Sequence, residues 1–239
     1  MQEIKSYITQ GEMKRKYVKR MFNAIAKRYD FLNHLLSFGL DIHWRRFAIK
    51  KLNLSGGETI VDIACGTGDF SISARDKFPS KIIGVDVSLN MLKIFSDKAK
   101  KFNLNNLSLL CAEAENLPLK DKSVDVVLVA FGVRNFSNLE MGLKEIRRVL
   151  RDNGKLAVLE FSLPKGMFGK VYLFYFRKIL PFIGNLISKH ENAYTYLPES
   201  VLVFPEGEEF TKILSEVGFK KVEMWRLTFG VVTLYIAFK

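Results

Sequence analysis

Cysteine is scarce, with two residues in 239, and their placement speaks against a crosslink. Cys65 and Cys111 fall on the first and third of a series of short apolar runs. A strand between them would hold them about 10 Å apart, too far for a disulfide, so both are expected as small buried thiols in a reducing cytoplasm. Histidine is equally thin. His34, His43 and His190 show no metal-ligand spacing, and no zinc motif, P-loop or Ser/His/Asp grouping occurs, so no metal is expected. No apolar run approaches the roughly 20 residues of a membrane span. The first twenty residues are polar and basic, unlike a secretory leader. Internal repeats, low-complexity tracts and linkers are absent. An apolar content of 48% makes the protein globular, and its length suits one domain with additions.

Acid is the other shortage, and it is local. The net charge is +12, and residues 1–53 hold twelve Lys/Arg against four Asp/Glu. Residues 165–190 hold five Lys/Arg and no acid. That second stretch carries Val171-Tyr-Leu-Phe-Tyr-Phe176 between Lys170 and Arg177-Lys178. Three readings compete: a nucleic-acid face with stacking aromatics, an anionic-membrane face with interfacial aromatics, and a solvated basic surface over a core helix. The apolar run is too continuous for a clean nucleic-acid stripe, so nucleic acid is set aside and membrane contact favoured.

What the sequence does have is Val61-Asp-Ile-Ala-Cys-Gly-Thr-Gly-Asp69, an apolar run collapsing into a glycine turn: a buried strand feeding a helix. A second run, Lys81-Ile-Ile-Gly-Val-Asp86, places a carboxylate at its carboxyl end. In a doubly wound sheet this arrangement puts a nucleoside beyond the strand ends, with the acid on the ribose hydroxyls. A dinucleotide fingerprint would carry a third small residue and hold a pyrophosphate on the helix N-terminus. Here Ser71 stands third, and Asp69 occupies the place of the phosphate. A carboxylate at a helix mouth repels phosphate and attracts a cation. Asp62 adds a second acid. Both suit S-adenosylmethionine, whose nucleoside carries a sulfonium and an ammonium.

Further runs at 107–112, 126–130 and 156–160 alternate with helical patterns, predicting a parallel sheet. The apolar spacing of Leu139, Leu143, Ile146 and Leu150 predicts a helix reaching Asn153-Gly154. A closing helix over 206–217 precedes two strands, 219–227 and 231–238, read as an antiparallel hairpin. Val18, Phe22, Ile25 and Tyr29 give an amino-terminal helix, and Asp41 is expected to cap a second one.

The segments Met21-Phe-Asn-Ala-Ile-Ala26, Tyr29-Asp-Phe-Leu-Asn33, Trp44-Arg-Arg46, Phe131-Gly-Val-Arg-Asn135, Leu159-Glu-Phe-Ser162 and Tyr194-x-Tyr-Leu-x-Glu-Ser200, together with the glycine turn, resemble the UbiE/MenG/COQ5 family over residues 15–239. The resemblance implies a class I S-adenosylmethionine-dependent methyltransferase: α/β, Rossmann-like, with seven mostly parallel strands and a helical lid. It divides a single 1–239 domain into a lid (1–55), a cofactor core (56–163), a substrate- and membrane-facing insertion (164–205) and a closing helix and hairpin (206–239). It implies C-methylation of a polyprenylated quinol, with demethylmenaquinol preferred and a methoxybenzoquinol or another hydrophobic acceptor as alternatives. Ala130 departs from relatives that carry serine there.

For the cofactor, Gly66 and Gly68 are expected to admit the methionine portion and Thr67 to donate to it. Asp62 is expected to add charge, Asp86 to hold the ribose, and Glu113, Ala114 and Met91 to meet the adenine. For catalysis, the candidates are Arg134, Asn135, Tyr194 and Tyr196. Arg134 stays charged, so it is expected to stabilise a phenolate or to order a water that takes the proton, or else to pair with a carboxylate and hold its loop. Glu160 is expected either to accept a proton or to pair with a nearby base.

Overall fold

In the computed structural model, which describes residues 11–79, 81–182 and 193–239, seven strands form one sheet. They are β1 (Thr59–Ile63), β2 (Lys81–Asp86), β3 (Leu107–Cys111), β4 (Val124–Ala130), β5 (Leu150–Phe161), β6 (Lys221–Leu227) and β7 (Val232–Phe238). Their order across the sheet is β3-β2-β1-β4-β5-β7-β6. The first five are parallel, while β7 runs antiparallel to both β5 and β6. This is the expected class. The parallel order brings the carboxyl ends of β1, β2, β4 and β5 to one edge, where an open α/β sheet binds its ligands.

Helices cover both faces because the central strands are apolar on both sides. On one face α2 (Leu40–Leu52), α3 (Asp69–Ala74) and α4 (Leu89–Lys101) bury Ala48, Leu52, Phe70 and Phe95 against β1 and β4. On the other, α5 (Leu139–Val149) and α8 (Glu208–Val217) bury Leu143, Ile146, Phe210 and Leu214. A third core lies above the carboxyl edge. There α1 (Glu12–Leu36) packs Val18, Met21, Ile25 and Leu32 against Phe176, Leu180, Tyr196 and Val201. Those partners belong to the stretch after β5: α6 (Gly166–Phe174), a wide π turn over Tyr175–Ile179, and α7 (Ala193–Val203).

Three local expectations are corrected. The helix after β4 stops at Val149, because Leu150 already pairs with Val124 in the sheet. Gly154 then lies inside β5, where a Cβ would approach the Arg151 carbonyl to 2.9 Å. Asp41 does not cap α2. Gly39 holds the capping position in the left-handed region (φ +72°), and Asp41, one residue inside the helix, turns its carboxylate inward. Cys65 is buried as expected, but Cys111 is exposed because β3 is the edge strand. Both thiols are free; Cys65 lies in the turn after β1 rather than on the strand, and β2 lies between β1 and β3.

Candidate functional site

Two chambers open at the carboxyl edge of the sheet, and α1 roofs both. The smaller, about 70 Å³, follows the ends of β1, β2 and β4. Gly66 lines it with φ +54°, a conformation that disfavours any side chain. Asp86 lines it from the end of β2, accepting hydrogen bonds from Gly66 N and Ser88 N at 2.8 Å each. Its carboxylate has about four lone-pair positions, and the Val87 backbone also reaches it, which leaves room for a ribose hydroxyl. Met91, Ala114 and Phe136 supply apolar walls, and Glu113 a polar rim, held by Arg15 at 2.5 Å. A flat base between apolar walls, a diol on a buried acid and a backbone-lined glycine turn make a nucleoside site, and this donor set fits S-adenosylmethionine.

Not every residue expected there lines the chamber. Asp62 is buried within β1, where Oδ2 accepts from Ser71 N at 3.1 Å and from Ser71 Oγ at 2.7 Å. It anchors the start of α3 beneath the site, with Ser71, third in the glycine turn, supplying both donors. Packing alone requires a glycine at Gly68, since a Cβ there would overlap the Phe95 ring. Thr67 hydrogen-bonds Asp30 of α1, which ties the roof to the glycine turn. Asp69, at the head of α3, pairs with Lys98 of α4, and Lys98 also reaches Asp30 at 2.8 Å.

Burial shapes the charges. It pushes Asp62 up to about 7, against the hydrogen bonds from Ser71. It pushes Asp86 up to about 6, against the backbone donors of Ser88 and Gly66. Loss of charge on Asp86 removes attraction for a cationic nucleoside and turns an acceptor into a donor. S-adenosylmethionine affinity should therefore hold at neutral pH and weaken as pH falls through about 6. Calorimetric titration at about pH 7.5 and 5.5 checks this, and equal affinities would remove Asp86 from the ribose.

The larger chamber, about 240 Å³, lies beyond Phe22, Tyr29 and Phe131, which line both. Its walls are aromatic: Trp44, Phe161, Tyr172, Tyr175 and Phe176. Arg134 and Tyr196, two of the four candidates for catalysis, line it from the turn after β4 and from α7. Asn135 lines the smaller chamber, and its Oδ1 accepts from the Tyr196 hydroxyl at 3.1 Å. Arg134 is buried and committed to protein partners, donating to the Phe131 carbonyl at 2.6 Å and to Glu160 at 2.5 Å. Glu160 therefore pairs with a base, the second of its two expected roles. Burial pushes its carboxyl up, opposed by the Arg134 charge and by hydrogen bonds. Tyr194 stands in the first turn of α7, and its side chain lies outside the described residues. So does His190.

Sequence reasoning missed the polar end of this chamber. Asp41 and Arg45 line it, one turn apart on α2, and form an ion pair. His34 Nδ1 lies 2.9 Å from Asp41 Oδ2, and its Nε2 lies 3.9 Å from Asp69. Burial pushes Asp41 up, but the Arg45 charge and hydrogen bonds from His34, Arg45 and Ser37 leave it below its ordinary value. His34, Asp41 and Asp69 have ligand atoms within 4.8 Å of one another. Arg45 and Lys98 already balance the two carboxylates. The signal was present in Trp44-Arg-Arg46, yet no spacing rule joins residues from two helices and a turn.

Fold and site together define a class: S-adenosylmethionine-dependent methyltransferases of class I. A solved S-adenosylmethionine-dependent methyltransferase of Thermotoga maritima, described as a possible histamine N-methyltransferase, has a TM-score of 0.67 at 20% identity, covering 92% of this chain and 99% of that one. A solved methyltransferase of Aquifex aeolicus has a TM-score of 0.60 at 22% identity, covering 83% and 91%. These likenesses show the fold. Sequence carries the assignment further. The model of the ubiE/COQ5 methyltransferase family matches residues 10–239. The ubiquinone/menaquinone biosynthesis C-methyltransferase UbiE of Geotalea uraniireducens is 43% identical over 226 residues, covering 93% of this chain and 96% of that protein. The demethylmenaquinone methyltransferase of Bacteroides fragilis is 41% identical over 241 residues, covering 100% and 98%. The chain belongs to the ubiE/COQ5 methyltransferase family.

Proposed function

We propose that this protein methylates a ring carbon of a polyprenylated quinol, with demethylmenaquinol the preferred acceptor and a methoxy-polyprenylbenzoquinol the alternative. The observation that carries this reading is the aromatic-walled chamber adjoining the nucleoside site across Phe22, Tyr29 and Phe131. A flat apolar ring suits those walls, and the names of the relatives point the same way. Bound S-adenosylmethionine supplies the methyl group on a sulfonium. Asp86, Gly66, Met91, Glu113 and Ala114 hold it beneath α1. Holding the ring carbon about 3–3.5 Å from the methyl supplies much of the rate. Arg134, fixed by Glu160, presents a cation that stabilises negative charge on a ring oxygen. Asn135 and Tyr196 brace the wall between the chambers, and Tyr194 is a further candidate for a ring oxygen. Turnover of demethylmenaquinol and of the benzoquinol by the purified protein, followed by mass spectrometry, tests the reading. Methylation of neither would overturn it.

The chamber mouth suggests where the substrate comes from. Among the described residues, no helix is long and apolar enough to cross a membrane. Phe38 lines the chamber yet is 80% exposed, beside Tyr175 with ring centroids 6.3 Å apart. Met167, Val171, Phe174 and Phe182 are exposed on the neighbouring stretch, among Lys165, Lys170 and Lys178. Arg177, grouped with these cations in the sequence, instead reaches Glu199 at 3.6 Å. We infer that this rim rests on an anionic bilayer holding the isoprenoid tail. Each cation near such a surface adds about 1 kcal/mol, screened by salt. Cosedimentation with anionic vesicles should be strong at low ionic strength and fall when Lys165, Lys170 and Lys178 become glutamine. Indifference of the wild type to anionic lipid would refute docking.

A further inference from the structure

Two buried guanidinium–carboxylate pairs sit on one stacked pair of rings in the larger chamber. Phe131 and Phe161 stack with centroids 4.5 Å apart. The Arg45 guanidinium lies 5.5 Å from the Phe131 centroid, and that of Arg134 lies 5.5 Å from the Phe161 centroid. Asp41 holds the first and Glu160 the second. The acids are not equivalent. Glu160 is the more deeply enclosed, and its oxygens serve Arg134 Nη1, Phe161 N and Arg134 N. Asp41 lines the chamber itself. It accepts from Ser37 on Oδ1, from Arg45 on Oδ2, and from His34 Nδ1, which spans both oxygens. A single ring N–H shared between two oxygens holds each weakly, so a ligand hydroxyl takes the place of one of those two contacts.

Resting on the reading of the acceptor as a quinol, we propose that these two pairs divide the two ring oxygens between them. Asp41 takes the proton of the hydroxyl beside the carbon to be methylated, while Arg134 faces the other oxygen. The hydroxyl O–H bond breaks toward Asp41, and its electron pair moves through the ring to the neighbouring carbon. That carbon gains the methyl group as sulfur keeps the pair of the broken C–S bond. The ring C–H proton then leaves to solvent, its bonding pair restores the aromatic ring, and Asp41 returns its proton to the oxygen. The balance is one methylated quinol, one S-adenosylhomocysteine and one released proton. Arg45 stays charged throughout, so the oxygen faces a cation while it lacks its proton. His34 is a positioning residue: it grips both Asp41 oxygens, at 3.0 and 2.9 Å. The charged and titratable groups around Asp41 are Arg45 on its own helix, His34 and Tyr29 from α1, and Asp69 with Lys98 behind it from the glycine turn and α4.

The inference predicts a preference for two ring hydroxyls over one. Wild-type protein is titrated anaerobically with 1,4-dihydroxynaphthalene, 1-naphthol and 1,4-dimethoxynaphthalene by calorimetry. The diol should bind about tenfold or more tighter than either analogue, the value of one charge-assisted bond. Asp41→Asn should erase most of that preference and lower kcat on a short-tailed demethylmenaquinol by about a hundredfold or more, the share of a general base. Its acid limb in the kcat–pH profile should vanish. His34→Gln should keep the diol preference while shifting that limb, which a purely structural histidine would not do. Equal binding of the three naphthalenes by the wild type overturns the proposal without any variant, so poor folding of Asp41→Asn cannot hide the answer. A kcat for Asp41→Asn within about threefold of wild type also overturns it. Failure of the wild type to methylate any quinol is a different result, which removes the functional reading instead.

Discussion

Arg134→Ala should cost roughly 3–5 kcal/mol of stability, the usual penalty for leaving a buried carboxylate unpaired, before any kinetic effect can be read. Glu160 is 1% exposed and depends on this guanidinium for its charge balance. Removal also takes a donor from the Phe131 carbonyl and from the Ser200 hydroxyl, which accept from Arg134 at 2.6 and 3.3 Å and keep Asn135 and Leu197 as partners. The position thus combines anchor and cation, roles that truncation cannot separate. Pairing Arg134→Met with Glu160→Gln should recover most of the stability, because it removes both charges, yet leave turnover low. Chemical denaturation of the single and double variants decides the matter. An alanine variant as stable as wild type would show that Glu160 is neutral and that the pair contributes nothing to the fold.

Gly68→Ala is the other large effect. A Cβ at this position would run into the Phe95 ring, and the backbone φ is +86°. Left-handed backbone costs a non-glycine residue roughly 1–2 kcal/mol, and overpacking typically adds about 1–3. The sum, on the order of 2–5 kcal/mol, should appear in denaturation of the protein without any ligand. Phe95→Leu alone should destabilise through lost volume, but in the double variant the two losses should be less than additive. Full additivity would mean that the ring is not what excludes a side chain. Loss of S-adenosylmethionine affinity with unchanged stability would restore Gly68 to the ligand's surface.

The sheet was legible because its signals are local. An apolar run, a glycine turn and an acid at a strand end each announce themselves within a few residues, and β1, β2 and the nucleoside side of the site followed. Boundaries were less so: Leu150 fits a helical stripe equally well, and only its pairing with Val124 assigns it to β5. Glycines were harder still, since Gly66 and Gly68 look alike in sequence. Whether a Cβ would meet open space or Phe95 depends on a helix nearly thirty residues further on. The polar end of the large chamber was invisible. Asp41 reads as a helix cap by its position, and only tertiary packing of α1 on α2 puts His34 beside it. Arg134 was singled out by motif, but its pairing with Glu160 needed the sheet.

The roof has a thermodynamic consequence. One helix closes both chambers, with Arg15 on Glu113, Asn23 within 2.9 Å of Ser88, and Asp30 on Thr67 and Lys98 at one side, and Met21 and Ile25 over the aromatic walls at the other. Each ligand that rests against α1 holds the roof of the other chamber as well. Donor and acceptor affinities are then linked, and by equal factors in both directions. Measured alone, each ligand will look weaker than it is in the ternary complex.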